Sequence, residues 1–272
     1  MCVNPIHLKN PNYNCLDNHK SVYSLGTDQL IVPCGKCAEC RKEQSREWAF
    51  RICDEASLYV YNCFVTLTYA ENPQSVIKRD IQLFMKRLRK HIEPQKVRYY
   101  CAGEYGDLRG RPHYHIILFG WKPDDLEFLK VTKRGENIYR SKTLENLWNK
   151  GFVSVGDLTL ESAKYTALYM QKLVKRPYGQ APPFALMSKS PGIGAGRFSE
   201  KMLETDKIYH GGQYVKLPRY YLTLAERQGL DIQPIKDLRA KKQELYYRSR
   251  DEFAQAQNKE KKFMLDKSRV KC

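Results

Sequence analysis

Arg111-Pro112-His113-Tyr114-His115-Ile116-Ile117-Leu118-Phe119-Gly120 is the stretch from which the rest of the chain can be read. Its apolar, β-branched run between Pro112 and Gly120 predicts a buried strand. Successive strand side chains alternate faces, so His113 and His115 point the same way, one step apart. Two imidazoles so placed can share a divalent cation, or can be two hydrogen-bonded histidines at a strand end. Two ligands rarely hold a metal alone, and the preceding predicted strand, Val97 to Glu104, supplies Glu104 as a third. A hairpin turning through Gly106-Asp107-Leu108-Arg109-Gly110 gathers all three groups if Glu104 lies across from His113 or His115. A one-residue slip sends the carboxylate to the other face. Mixed imidazole and carboxylate ligation with open positions suits Mg²⁺ or Mn²⁺ holding a phosphate oxygen.

Outward from this strand, residues 42–59 predict a helix, with Trp48, Ile52, Ala56 and Tyr59 at helical spacing. Cys63 to Tyr69 reads as a strand. Lys78 to His91 predicts an amphipathic helix whose apolar stripe is Ile81, Phe84, Met85 and Leu88. After a variable stretch over 121–152 come a short strand near Phe152 to Val155 and a helix over about 161–175. Residues 181–196 read as a Pro- and Gly-rich loop, and 226–272 as a basic, helix-prone tail. The order strand, helix, strand, strand, strand, helix predicts an α+β fold, a central antiparallel sheet with packed helices. The expected division is a Cys-containing loop segment (1–41), a main domain (42–225) and the tail (226–272).

The 272 residues carry a formal charge of +17, with 47 Lys and Arg against 30 Asp and Glu, which favours a polyanionic partner. No apolar run approaches the roughly 20 residues that span a bilayer. Met1 to His7 lacks the charged start and apolar stretch of a signal peptide. Nucleic acid, rather than a membrane, is therefore the expected partner, and the cytosol the expected compartment.

In the helix over 161–175, Tyr165, Tyr169 and Lys172 fall within about 60° of one another around the axis. Ala163, Ala167, Met170 and Val174 form a separate apolar face, so the tyrosines are freed from packing, although packing remains an alternative. A tyrosine can attack a phosphodiester and become joined to the 5′ phosphate, releasing a 3′ hydroxyl. Its phenol has an ordinary pKa near 10 and needs help at neutral pH. Lys172 adds a positive charge nearby, and two tyrosines permit two linked transesterifications.

Nine cysteines is an odd number, and a reducing compartment disfavours disulfides. Cys53, Cys63 and Cys101 fall in apolar elements and read as small buried hydrophobes. Cys34, Cys37 and Cys40 are regularly spaced and either bind zinc, completed by Cys15, Cys53 or His19, or remain reduced thiols.

Taken together these motifs resemble a known group. His113-Tyr114-His115 resembles the His-hydrophobic-His motif of HUH endonucleases, and Tyr165-x-x-x-Tyr169 with Lys172 the paired-tyrosine motif of their rolling-circle replication initiators. Phe64-Val65-Thr66-Leu67-Thr68-Tyr69 is similar to the first strand of those initiators. Pro33 to Arg41, Gly103 to Gly106, Met187 to Gly194 and Leu217 to Tyr221 resemble the initiators of gokushovirus-type microviruses of bacteria. The resemblance runs from about residue 33 to 221. It implies a ferredoxin/RRM-like HUH endonuclease fold for residues 42–225 and a metal-dependent nickase and strand transferase. Its implied substrate is single-stranded viral origin DNA in the host bacterial cytoplasm, with a 5′-phosphotyrosine intermediate and a 3′-OH primer left for host polymerase. No Gly-x-x-x-x-Gly-Lys-Ser/Thr loop is present, so unwinding would fall to a host helicase. Two other readings stay open: a non-enzymatic nucleic-acid-binding module with a zinc-stabilised N-terminus, and an HUH transposase or relaxase.

Overall fold

In chain order the elements are β1 (Ile6–Lys9), β2 (Gln29–Val32), α1 (Ala38–Ala56), β3 (Asn62–Thr68), α2 (Lys78–His91), β4 (Arg98–Tyr105) and β5 (Pro112–Phe119). They continue with β6 (Leu126–Val131), β7 (Asn137–Ser141), α3 (Lys142–Trp148), β8 (Val153–Gly156) and β9 (Phe184–Met187). Then come β10 (Lys207–His210), β11 (Gln213–Lys216), α4 (Arg219–Arg227), α5 (Gln233–Arg248) and α6 (Arg250–Arg269). The computed structural model describes residues 2–9, 29–106, 110–132, 135–159, 162–163, 166–167, 179–210 and 213–269. It divides into two units, residues 45–198 and residues 1–44 with 199–272.

The first unit, residues 45–198, is built on a seven-stranded antiparallel sheet in the order β6-β7-β8-β3-β5-β4-β9. The α+β class read from the pattern of elements is the class observed. β5 lies inside this sheet and is covered on both faces, which explains a run too apolar to alternate. On one face Val65, Leu67, Cys101, Tyr114, Ile116 and Leu118 pack with Ile81, Phe84, Met85 and Leu88 of α2 and Trp148 of α3. On the other, Tyr100, Ile117 and Phe119 pack with Ile52, Ala163 and Ile193, flanked by Trp48, Cys53 and Ala56.

The bounds of α2 match the reading from its apolar stripe, and all four stripe residues are buried. Three regions differ from expectation. The stretch 121–152 contains the β6–β7 hairpin and α3. Most of β6 is exposed, so it lacks the alternation that marks a half-buried strand. α3 is capped by Ser141, whose Oγ accepts the Leu144 N–H at 3.2 Å. β9 lies within the predicted loop 181–196, its form set by pairing of Ala185 with Ala102 and of Leu186 with Cys101. α1 begins at Ala38 rather than at 42, because a distant carboxylate, Glu260 Oε2 on α6, accepts the Ala38 N–H at 3.0 Å. Cys63 and Cys101 are buried as expected, and burial pushes the Cys63 thiol up to about 12.

The second unit holds two small hairpins, β1–β2 and β10–β11, with α4, α5 and α6. The expected solvated tail has an anchored side. Ile232 and Ile235 are buried, and the Arg239 guanidinium forks onto the Asp206 carboxylate while donating to the Leu217 carbonyl at 2.6 Å. Lys241, Lys242, Lys259, Lys261 and Lys262 are exposed. Among the described residues no helix is long and apolar enough to cross a membrane.

Candidate functional site

The β4–β5 register places Glu104 directly across from His113, and His115 between Ala102 of β4 and Thr66 of β3. Alternation then brings Glu104, His113, His115 and Thr66 to one face. Glu104 Oε1 lies 2.8 Å from His113 Nε2 and 3.1 Å from His115 Nε2. The carboxylate is 2% exposed, His115 7% and His113 18%, so His113 stands at the mouth and Glu104 at the floor.

Each ring is held in place from behind. His113 Nδ1 lies 3.1 Å from the Arg111 carbonyl, an oxygen that only accepts. Nδ1 therefore carries the proton, and in the neutral ring Nε2 presents a lone pair. His115 Nδ1 meets Thr66 Oγ1 at 3.1 Å, and the Phe64 ring stacks on this imidazole at 5.4 Å. Two imidazole Nε2 atoms thus converge on one anionic oxygen, an arrangement favoured by a positive charge among them. Glu104 Oε2 is buried with no hydrogen-bond partner among the described residues. Burying an unpaired carboxylate oxygen is costly. A divalent cation ligated by Glu104, His113 and His115 satisfies both groups, so the donor set fits one.

The side chain between the two histidines locks the strand from the opposite face. Tyr114 is fully buried; its oxygen accepts the Ile77 N–H at 2.7 Å, and its hydroxyl lies 2.8 Å from that of Tyr69. Tyr69 in turn donates to Asp80 Oδ2 at 2.6 Å. Burial and then the Asp80 carboxylate hold the Tyr69 phenol well above its usual range, so it remains a donor. Gly151 lets the chain pass against β3: a Cβ there would lie 2.3 Å from the Thr68 carbonyl. The sequence alone does not single out Thr66, Arg111, Tyr114, Tyr69 or Asp80 as parts of the site. Only Thr66 carries a signal there, as the β3 residue able to face the histidines.

Tyr165, Tyr169 and Lys172 lie outside the described residues, as do Met170 and Val174. Their described neighbours 162–163 and 166–167 are helical. Thr159 starts this turn, its Oγ1 accepting the Ser162 N–H at 3.1 Å and its carbonyl the Ala163 N–H at 3.0 Å. Ala163 and Ala167 are fully buried, as expected of the apolar face. Ala163 packs with Tyr100, Ile117 and Phe119, on the histidine-bearing face of the sheet.

The second unit holds a separate cluster. Cys34, Cys37 and Cys40 come together with Cys2, their sulfurs all within 4.8 Å of one another. Cys2 thus takes the place expected of Cys15, Cys53 or His19. Cys53 instead packs beside Ile52 in the first unit, and Cys15 and His19 lie outside the described residues.

Comparison with known proteins adds a relationship. A family model for the replication-associated protein ORF2 matches residues 62–174, a stretch containing Glu104, His113, His115, Tyr165, Tyr169 and Lys172. Replication-associated protein ORF2 of Spiroplasma virus 4 is 36% identical over 242 residues, covering 77% of this chain and 73% of that protein. Replication-associated protein VP4 of Bdellovibrio phage phiMH2K is 33% identical over 210 residues, 71% of this chain and 66% of its own length. Replication-associated protein ORF4 of Chlamydia phage 1 is 32% identical over 214 residues, 72% of this chain and 54% of its own. No solved structure matches.

Proposed function

The chain belongs to the family of phage replication-associated proteins, and on that premise we propose that it initiates rolling-circle replication by nicking and rejoining single-stranded origin DNA. In this reading residues 45–198 form an HUH endonuclease domain of ferredoxin-like type, working in the host bacterial cytoplasm. The observation that carries the reading is the convergence of Glu104, His113 and His115 around one buried, partly unsatisfied carboxylate.

Glu104, His113 and His115 would hold Mg²⁺ or Mn²⁺, which when bound draws charge from the scissile phosphate. Arg111 and Thr66 orient the imidazoles, and the Tyr114–Tyr69–Asp80 chain keeps β5 from slipping. The phenolic oxygen of Tyr165 or Tyr169 attacks phosphorus as its proton departs. A P–O bond forms to the tyrosine, the bond to the 3′ oxygen breaks, and that oxygen takes up a proton. The products are a 5′-phosphotyrosine and a free 3′-OH that primes host polymerase, with a host helicase opening the duplex. Lys172 offsets the negative charge of the attacking or departing oxygen. The other tyrosine repeats the exchange on the regenerated origin, and the 3′-OH released there attacks the phosphotyrosine to close a circle. The phosphotyrosine conserves the bond, so rejoining needs no ATP. Packing of Ala163 on the histidine-bearing face supports the pairing of this helix with the centre.

The test is incubation with single-stranded DNA carrying the viral origin and Mg²⁺ or Mn²⁺, followed by denaturing electrophoresis. Wild-type protein is expected to give a covalent adduct; His113→Ala and the double variant Tyr165→Phe/Tyr169→Phe are expected to give none. Cleavage persisting in the double variant would make water the nucleophile and overturn the mechanism. Binding without any cleavage by the wild type would favour a non-enzymatic nucleic-acid module.

A further inference from the structure

Cys34-Gly35-Lys36-Cys37-Ala38-Glu39-Cys40 folds into a turn that runs straight into a helix. Gly35 adopts φ +70°, a left-handed conformation that suits glycine. The turn wraps backbone amides around the first sulfur: Cys34 Sγ accepts the Lys36 N–H at 3.4 Å and the Cys37 N–H at 3.3 Å. Cys37 accepts the first helical hydrogen bond, from the Arg41 N–H to its carbonyl at 3.0 Å, and Cys40 lies in the first turn of α1. Helix N-termini favour thiolates.

The fourth sulfur comes from far away in sequence. β1 and β2 pair antiparallel with Ile6 across from Val32, so continuing the two chains past the hairpin brings residue 2 alongside residues 34–37. Cys2 Sγ accepts the Cys34 N–H at 3.3 Å and lies 3.9 Å from Cys37 Sγ. That separation is close to twice a disulfide bond, and all four cysteines are free. It is instead the edge of a metal-centred tetrahedron, because four sulfurs about 2.3 Å from one zinc ion lie about 3.8 Å apart. Cys2, Cys37 and Cys40 are buried, with Val3 as their one fully buried apolar companion in the cluster. Such a patch is too small to hold the N-terminal residues to α1 by hydrophobic burial alone.

We propose that Cys2, Cys34, Cys37 and Cys40 form a closed tetrathiolate zinc site that ties the N-terminal segment to the start of α1. Four sulfur donors without an open position make the site structural rather than catalytic. Ionisation is already favoured at one ligand: burial opposes the Cys34 thiolate, but the Lys36 and Cys37 amides outweigh it and lower its pKa to about 7. This proposal is independent of the reading of the imidazole centre.

Full-length protein purified without chelator is expected to hold one zinc per chain by elemental analysis, and His113→Ala to keep it. After zinc removal, added Co²⁺ is expected to give the intense visible absorption of a tetrahedral cobalt thiolate. Cys2→Ser should weaken Co²⁺ binding at least tenfold, whereas Cys101→Ser should leave it unchanged. Cys2→His, which restores a fourth ligand, should bind with a shifted spectrum even if the serine variant fails to fold. Wild-type protein without bound zinc, iron in its place, a cobalt spectrum untouched by Cys2→His, or zinc lost with His113→Ala would each overturn the assignment.

Discussion

The two ligand clusters solve opposite problems with different chemistry. The cluster in residues 45–198 uses one carboxylate and two imidazoles on rigid strands, and His113 leaves it accessible at the mouth. The cluster in the other unit uses four sulfurs, three of them buried, with Cys2 supplied by the far end of a hairpin. Hard and borderline donors with open positions are suited to a cation that must meet a phosphate. Soft donors in a closed set suit a cation that only holds chain segments together. Donor softness and openness, rather than the presence of a metal-sized cluster, separate a candidate reaction centre from a fastener.

Substitutions can sharpen or break that contrast. The largest effect is expected from Glu104→Gln, which keeps the shape of the floor but removes its charge. Adduct formation should fall by at least about 100-fold, since changes one shell further out already cost about 10–100-fold. The zinc content should stay the same. Parallel loss of zinc would mean that the clusters are not separate, and single-turnover adduct yield together with elemental analysis reads both. Cys37→Ser should do the reverse, losing zinc and lowering the melting temperature by roughly 5–10 °C, which corresponds to about 2–3 kcal/mol in a chain of this size. An unchanged thermal midpoint would deny the thiol cluster its fastening role. The smallest effect belongs to Thr66→Val, which deletes only the partner of His115 Nδ1. It should weaken Mn²⁺ binding by about tenfold, measured by titration calorimetry, without altering zinc content. Equal affinity would show that Thr66 does not orient the ring.

The imidazole cluster is legible in the sequence because strands obey a period of two. His113 and His115 have to share a face, and a hairpin with Glu104 opposite His113 is one of a few possible registers. Tyr114, between them, carries a hydrogen-bond chain to Ile77 and Tyr69 that no local pattern announces. α2 is legible for a similar reason, with an unbroken apolar stripe against the sheet. Cys2 is not, because its approach to Cys34 depends on the pairing of Ile6 with Val32, a contact across many residues. β9 and the early start of α1 are hidden for the same cause. One exists through pairing with β4, the other through a carboxylate more than two hundred residues away.

Anomalous diffraction from crystals soaked in Mn²⁺, recorded separately at the manganese and zinc absorption edges, tests the central contrast most directly. A manganese peak is expected within bonding distance of Glu104, His113 Nε2 and His115 Nε2, and a zinc peak amid the sulfurs of Cys2, Cys34, Cys37 and Cys40. Manganese absent from the three strand residues would contradict the account, whatever the sulfurs hold.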